Sequence, residues 1–396
     1  CAILDDGSLK CWGNNGVGQL GIGSNTDQNT PQTVNLGTGR TAISLGIGYF
    51  STCAILDDGS LKCWGSNNYG ALGIGSQINQ ITPQAVNLGN GRTAVSMSFG
   101  QYHACAILDD GSLKCWGTNS QGQLGLGSTT QETTPQTVNL GTGRTAVSVS
   151  TENSHTCAIL DDDTLKCWGY NYYGQLGLAT TSSETTPQTV DLGTGRTAVS
   201  VSAGQYHTCA VLDDARMMCW GRTPYWFDNT AAYSTGSIAK YFGRYSNYDV
   251  HEVNAGQRHT CAILDDDTLK CWGYNDYGQL GLGSNTHQAM PQTVNLGTGR
   301  TAVSVSLGPS HTCAILDDSS LKCWGQNDFG QLGLGSTTQY STPQSVNLGT
   351  GRTAVSVSAG QYHTCAILDN GILNCWGRNN YGQLGIGSNT DQNTPQ

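Results

Sequence analysis

Apolar and polar residues alternate in short stretches that return along the whole chain. In residues 145–168, TAVSVS, CAIL and LKCW each show the period of two expected of a half-buried strand, and Asp-rich or Asp-Gly tips separate the last two. After them come an N-x-x-GQLG loop, a Ser/Thr/Asn/Gln tract and TPQTVNL. Proline is tolerated at sheet edges and strand starts, so TPQTVNL reads as a fourth, outermost strand. The unit recurs every 52 residues along a chain of 396. Such a period marks an array of one supersecondary element. Four antiparallel strands per unit, each unit covering the apolar face of the next, predict an all-β β-propeller.

The array reads as a single repeat domain, 1–396. It comprises a partial N-terminal unit (1–40), regular blades (41–208), a divergent aromatic-rich blade (209–260) and regular blades again (261–396). Counting from TAVSVS as first strand gives seven complete blades plus a partial unit. An eight-bladed ring and an open superhelix are the alternatives. Cys1 aligns with Cys53 inside a repeat, and IGSNTDQNTPQ occurs near both ends, so the chain reads as a stretch of something longer.

Cysteines recur ten positions apart around every tip. A three-residue hairpin loop at Asp5, Asp6 and Gly7 sets Ile3 against Leu9 and Cys1 against Cys11. Opposed residues of a non-hydrogen-bonded pair lie about 4.5 Å apart at Cα, at the low end of disulfide range. Eight local bridges are predicted: Cys1–Cys11, Cys53–Cys63, Cys105–Cys115, Cys157–Cys167, Cys209–Cys219, Cys261–Cys271, Cys313–Cys323 and Cys365–Cys375. A zinc site is the weaker alternative, because no CxxC spacing is present. At the tip position of Gly7 the fifth unit has Ala215, which tolerates the left-handed region poorly, so that hairpin is expected to differ in shape.

Composition narrows the function. Charged residues are 12% and the net charge is −10, which disfavours phosphate backbones and so nucleic acid. No apolar run reaches the ~18 residues a membrane-spanning helix needs. Sixteen regimented cysteines suit an oxidising, extracellular or cell-surface location. One Trp per unit, from Trp12 to Trp376, reads as a wedge between blades. His103, His155, His207, His259, His311 and His363 form a column, read as scaffold, with a neighbouring blade separating each imidazole from the next. Arg40, Arg92, Arg144, Arg196, Arg300 and Arg352 sit in turns suited to salt bridges between blades or chains. No cofactor and no metal ligands are expected; calcium is the one ion that the Asp-Asp tips would suit, although the tips lack EF-hand spacing and read as solvated.

The fifth unit breaks the monotony. Arg222, Tyr225, Trp226, Phe227, Tyr233, Lys240, Tyr241, Phe242, Arg244, Tyr245 and Tyr248 crowd where other units carry GQLG and TPQ. Aromatics and Arg are enriched in binding hot spots, so this stretch is the candidate contact surface, with a locally repacked blade as the plain alternative. No GxSxG, HExxH or phosphate-loop signature occurs, and the chain is not expected to be an enzyme.

The strings G-x-x-H-T-C-A-I-L-D, L-K-C-W-G-x-N, G-Q-L-G and T-P-Q resemble the repeat of the regulator of chromosome condensation family, in register over essentially the whole chain. The resemblance implies a propeller, commonly of seven blades. It transfers little function, since such propellers include an exchange factor, a photoreceptor and an enzyme inhibitor. The paired cysteines, acidity and near-identical units point instead to a secreted, disulfide-bearing variant. The expected role is an extracellular structural or adhesive element, a segment of a fibre or longer repeat protein. Its partners would be other protein chains or its own copies, and glycans. A secreted lectin or inhibitor using the fifth unit is the alternative.

Overall fold

The computed structural model describes residues 1–222, 240–242 and 250–396. Among these residues the chain forms eight antiparallel sheets of the propeller type, six with four strands and two with three, each made of strands consecutive in sequence. The blade count is therefore eight. The first blade lacks its innermost strand, and in the last the fourth strand is reduced to a bridge between Gly377 and Gln392.

The fourth blade illustrates the unit: Ala146–Glu152, His155–Leu160, Leu165–Gly169 and Glu184–Thr189 pair in that order. The second strand is buried along its whole length. The first departs from simple alternation. A register shift between Ala146 and Ser148 makes a β-bulge at Val147, which is 65% exposed, and brings Ala146 and Val149 to the same core. The hairpin register agrees with the sequence reading, with Ile3 opposite Leu9. Each cysteine pair is bonded, with Cα atoms 4.0–4.2 Å apart.

The fifth hairpin keeps the common shape, against expectation. Ala215 takes φ 57°, beside 59° at Asp163, so the turn is made left-handed despite the Cβ. Neighbouring turns over-determine it, because Ala215 O accepts the Val250 N–H at 2.9 Å as Gly59 O accepts that of Ala94. The cost of that conformation is about 1–2 kcal/mol.

Two compact units are distinguished. In the first, which includes Cys1–Asp213, Cys105, Cys115, Ile107, Leu113 and Leu124 of the third blade pack on Ala146, Ala158, Leu160 and Trp168 of the fourth. In the second, which includes Tyr241–Gln396, Cys261, Cys271, Ile263, Leu269 and Leu280 pack on Ala302, Ala314, Leu316 and Trp324. The apolar cores thus lie between sheets, and a blade buries its face only against a neighbour. The disulfides belong to these cores rather than to the surface.

Candidate functional site

A polar chain recurs at several blade junctions, and the junction of the third and fourth blades shows it in full. Trp168 Nε1 donates to Gln123 O of the preceding blade at 3.0 Å, and Thr156 Oγ1 donates to the same oxygen at 2.9 Å. The Thr156 proton is committed to that carbonyl, so its oxygen accepts from His103 Nε2, 3.0 Å away. Nδ1 of His103 is then unprotonated, and like that of His155 and His311 it is buried without a partner. Burial pushes His103 and His207 down to about 4 and His155 to about 3. Charges on His207 and His103 would add to burial in lowering His155. The Gly of G-x-x-H packs on the imidazole in the third blade, where a Cβ at Gly100 would lie 2.2 Å from His103 Cε1. Glu152 takes that place in the fourth blade, and burial raises its carboxyl. The column joins neighbouring blades, which is a scaffold role.

The acidic tips are occupied by guanidinium. Arg40 reaches Asp57 at 3.2 Å and Asp58 at 3.1 Å, and the Thr41 N–H donates to Asp57 at 3.1 Å. These bonds tie the lead-in of a blade's first strand to the tip between its second and third. The expected bridges between blades or chains are therefore pairs within one blade, because the tip folds back over the residue that opens the same sheet. The Ser60 hydroxyl, then its N–H, hold Asp58 below the usual carboxylate range. Among the described residues no group of three His, Cys, Asp or Glu is placed to hold a metal ion.

Of the fifth-unit candidates, Tyr225, Trp226, Phe227, Tyr233, Arg244, Tyr245 and Tyr248 lie outside the described residues. Lys240, Tyr241 and Phe242 form the outermost strand of the fifth sheet. Arg222 is exposed, with its guanidinium 4.9 Å from the Tyr173 ring centroid and 5.4 Å from that of Tyr206. Tyr170 and Tyr172 adjoin Tyr173, with centroids 6.3 and 5.1 Å from it.

A search for crowded stretches misses a second such group. Arg378 stands 5.0 Å from the Phe329 centroid and 5.6 Å from that of Tyr362. The signal is columnar: an aromatic in N-x-[Y/F]-G, a Tyr in Q-Y-H and an Arg after C-W-G, each from a different segment. Gly221 and Gly377, at φ 113° and 105°, turn the chain after the Trp so that the Arg N–H bonds Tyr206 O at 2.7 Å and Tyr362 O at 2.8 Å. The ring of that Tyr then lies under the guanidinium.

Comparison with known proteins gives the same picture. The RCC1-like domain model matches residues 130–396, and the regulator of chromosome condensation (RCC1) repeat matches 6–55 and 58–107. The ultraviolet-B receptor UVR8 of Arabidopsis thaliana is 30% identical over 344 residues, covering 87% of this chain and 78% of the receptor. The human E3 ubiquitin-protein ligase HERC2 is 27% identical over 91% of this chain, which spans 8% of the ligase. Human WBSCR16 superposes with TM-score 0.70 at 21% identity, covering 91% of this chain and 99% of that one. Yeast RCC1 (Prp20), solved bound to Kap60, gives 0.68 at 19% identity, covering 98% and 83%. No helix among the described residues is long and apolar enough to cross a membrane. With eight such blades and a relative matched over most of both lengths, the chain belongs to the RCC1-like family of repeat propellers.

Proposed function

We propose that this chain is a secreted, non-enzymatic propeller that works by binding other protein chains, as a structural or adhesive element. The observation that carries the reading is the pairing of all sixteen cysteines, one staple per blade, with all but Cys1 and Cys365 buried. A reducing cytosol does not maintain such a set, so an oxidising location fits it. Solved relatives support binding as the mode of action, since yeast RCC1 was crystallised on Kap60 and studied for its binding to Gsp1p and histones. Near-identical blades present the same surface repeatedly, which suits assembly with copies or with an extended partner. A second reading, a secreted binding module acting through the fifth-blade neighbourhood, is favoured by Arg222, which lies over two rings and, among the described residues, meets no carboxylate.

The test is made on protein from its native source. Thiol titration of denatured, unreduced material is expected to find no free cysteine, and cross-linking is expected to join the chain to other chains. Sixteen titratable thiols would overturn the secreted reading, and uniformly dispersed, uncross-linked monomers would overturn the structural one.

A further inference from the structure

We propose that Tyr49, Phe50, Tyr69 and Tyr102 form a docking strip for an arginine side chain carried by a basic segment of another protein. The inference rests on the reading of the chain as a protein-binding propeller and gives the chemistry of the partner. Among the described residues three ring pairs occupy one position of the repeat, the aromatic of N-x-[Y/F]-G against the Tyr of the following Q-Y-H. The centroids are 5.6 Å apart for Tyr69 and Tyr102, 5.2 Å for Tyr173 and Tyr206 and 5.2 Å for Phe329 and Tyr362, with the ring planes at 64°, 66° and 58°.

Two of these corners show what they take. The Arg222 guanidinium lies 4.9 and 5.4 Å from the rings of the second pair, and that of Arg378 lies 5.0 and 5.6 Å from those of the third. Both distances suit a cation–π contact. The flanks differ, with Tyr172 beside one pair and Asp328 beside the other, so the rings are what the two have in common. At the equivalent place beside Tyr69 and Tyr102 stands Thr118, which has no charge. Its N–H still bonds Tyr102 O at 2.9 Å, as that of Arg222 bonds Tyr206 O at 2.7 Å. The rings and the backbone are thus in place, and the cation is lacking. The burial agrees: Tyr69 is 48% exposed, whereas Tyr173 and Phe329 are half-buried under their arginines.

The apolar surface extends beyond that corner. Tyr49, 58% exposed, lies 6.2 Å from Tyr102 and 4.5 Å from Phe50, which is itself 44% exposed. Four rings therefore run on from Tyr69 to Phe50, more surface than one guanidinium covers, which suits a segment of chain rather than a free cation. A net charge of −10 draws a basic partner. A second copy is the poorer occupant, because the arginines of the described residues are engaged within the chain. The six at the tips and Arg216 meet aspartates, and Arg222, Arg258 and Arg378 lie over rings.

The experiment titrates the whole chain with a dye-labelled decapeptide alternating Arg and Ser, read by fluorescence anisotropy, beside the same peptide with citrulline at each Arg. Citrulline keeps the shape of the side chain and removes the charge. The Arg peptide is expected to bind, and the citrulline peptide to bind about tenfold more weakly or less. Thr118→Arg supplies the guanidinium from within and should weaken the Arg peptide by about fivefold or more. Tyr69→Gly removes a ring without altering charge, suits the backbone at φ 62°, and should weaken it as much. Val355→Arg, at an exposed position of the eighth blade, adds the same charge as Thr118→Arg and should change affinity by less than about twofold. Equal affinity for the two peptides, unchanged binding by Thr118→Arg or Tyr69→Gly, equal weakening by Val355→Arg, or no binding at millimolar Arg peptide would each overturn the proposal. Those results would leave the thiol count and the cross-links to other chains as they are, and free thiols in native material would leave the peptide titration as it is, so the two readings fail separately.

Discussion

Acid should unfold this protein through its histidine column, well before its aspartates are protonated. His103, His207 and His363 are pushed down to about 4, and His155 and His311 to about 3, with burial the leading cause in every case. A lowered folded-state value means that the unfolded chain takes up a proton near the ordinary 6.5 while the folded chain does not. Stability is therefore complete above about pH 6.5 and falls as pH drops toward 4. The structure supplies the reason: a second proton would go on Nδ1, which in His103, His155 and His311 is buried with nothing to accept it.

Each such histidine contributes a slope of up to about 1.4 kcal/mol per pH unit in that window, and five acting together about 7. An ordinary domain has only about 5–15 kcal/mol in total, so cooperative unfolding is expected above pH 4. Glu152 acts in the opposite sense, since its raised carboxyl gains folded-state protons on acidification, but it is a single group. The assay is guanidinium unfolding with disulfides intact, from pH 7.5 to 4.5, on the native chain and on His155→Gln. The variant keeps a donor toward Thr208 Oγ1, to which His155 Nε2 bonds at 2.9 Å, and cannot charge. Its stability should fall less steeply, by about 1.4 kcal/mol per unit below pH 6. Parallel pH profiles for the two proteins would refute the reasoning whatever their absolute stabilities.

Three further outcomes follow from the packing. Gly308→Ala places a Cβ 2.4 Å from His311 Cε1 and 2.8 Å from Gly360 O, and should cost about 1–3 kcal/mol in the same denaturation; an unchanged midpoint would contradict the contact. Ala215→Gly relieves a residue held at φ 57° and should raise stability by about 1 kcal/mol, so a loss would show that the Ala methyl is needed there. Trp168→Phe removes the indole donor to Gln123 O but leaves that of Thr156, and should cost about 2 kcal/mol from volume and one hydrogen bond; a cost below about 0.5 would mean that the wedge does not hold the junction.

The strands, hairpin register and cysteine pairing were legible because each depends on residues within about ten positions. Cys157 faces Cys167 by the geometry of one turn, and no distant residue enters. The innermost strand was less legible. Strict alternation through TAVSVS puts Ala146 and Val149 on opposite faces, yet the bulge at Val147 brings both to the core. A bulge is fixed by the neighbouring strand and has no letter of its own in the sequence. The Arg–Asp pairs were assigned to the wrong partners for a related reason: Arg40 and Asp57 are 17 positions apart, and only the folded blade shows that they share one sheet end. Phe329, Tyr362 and Arg378 span nearly fifty positions, so no window over the chain groups them.

Repetition also determines where a function can be read. A residue that recurs in most blades, such as the Trp of all eight, the His of six or the Asn of N-x-x-GQLG in seven, is explained by a contact that recurs with it; Asn171, for instance, bonds Thr180 O, Ser182 O and the Leu176 N–H, closing its own loop. Such columns carry fold and little else. Ligand specificity must reside where the columns vary while the backbone does not. Position 222 meets that condition: the equivalent residue is Ser66, Thr118, Tyr170, Tyr274 or Gln326 in five other blades, and Arg again at 378. The backbone bond to the preceding turn is retained throughout, from Ser66 N to Phe50 O at 2.8 Å to Arg378 N to Tyr362 O at 2.8 Å. The scaffold bond is made by the backbone, so the side chain there can vary, and in two of the blades it is an Arg whose guanidinium lies over a pair of touching aromatic rings.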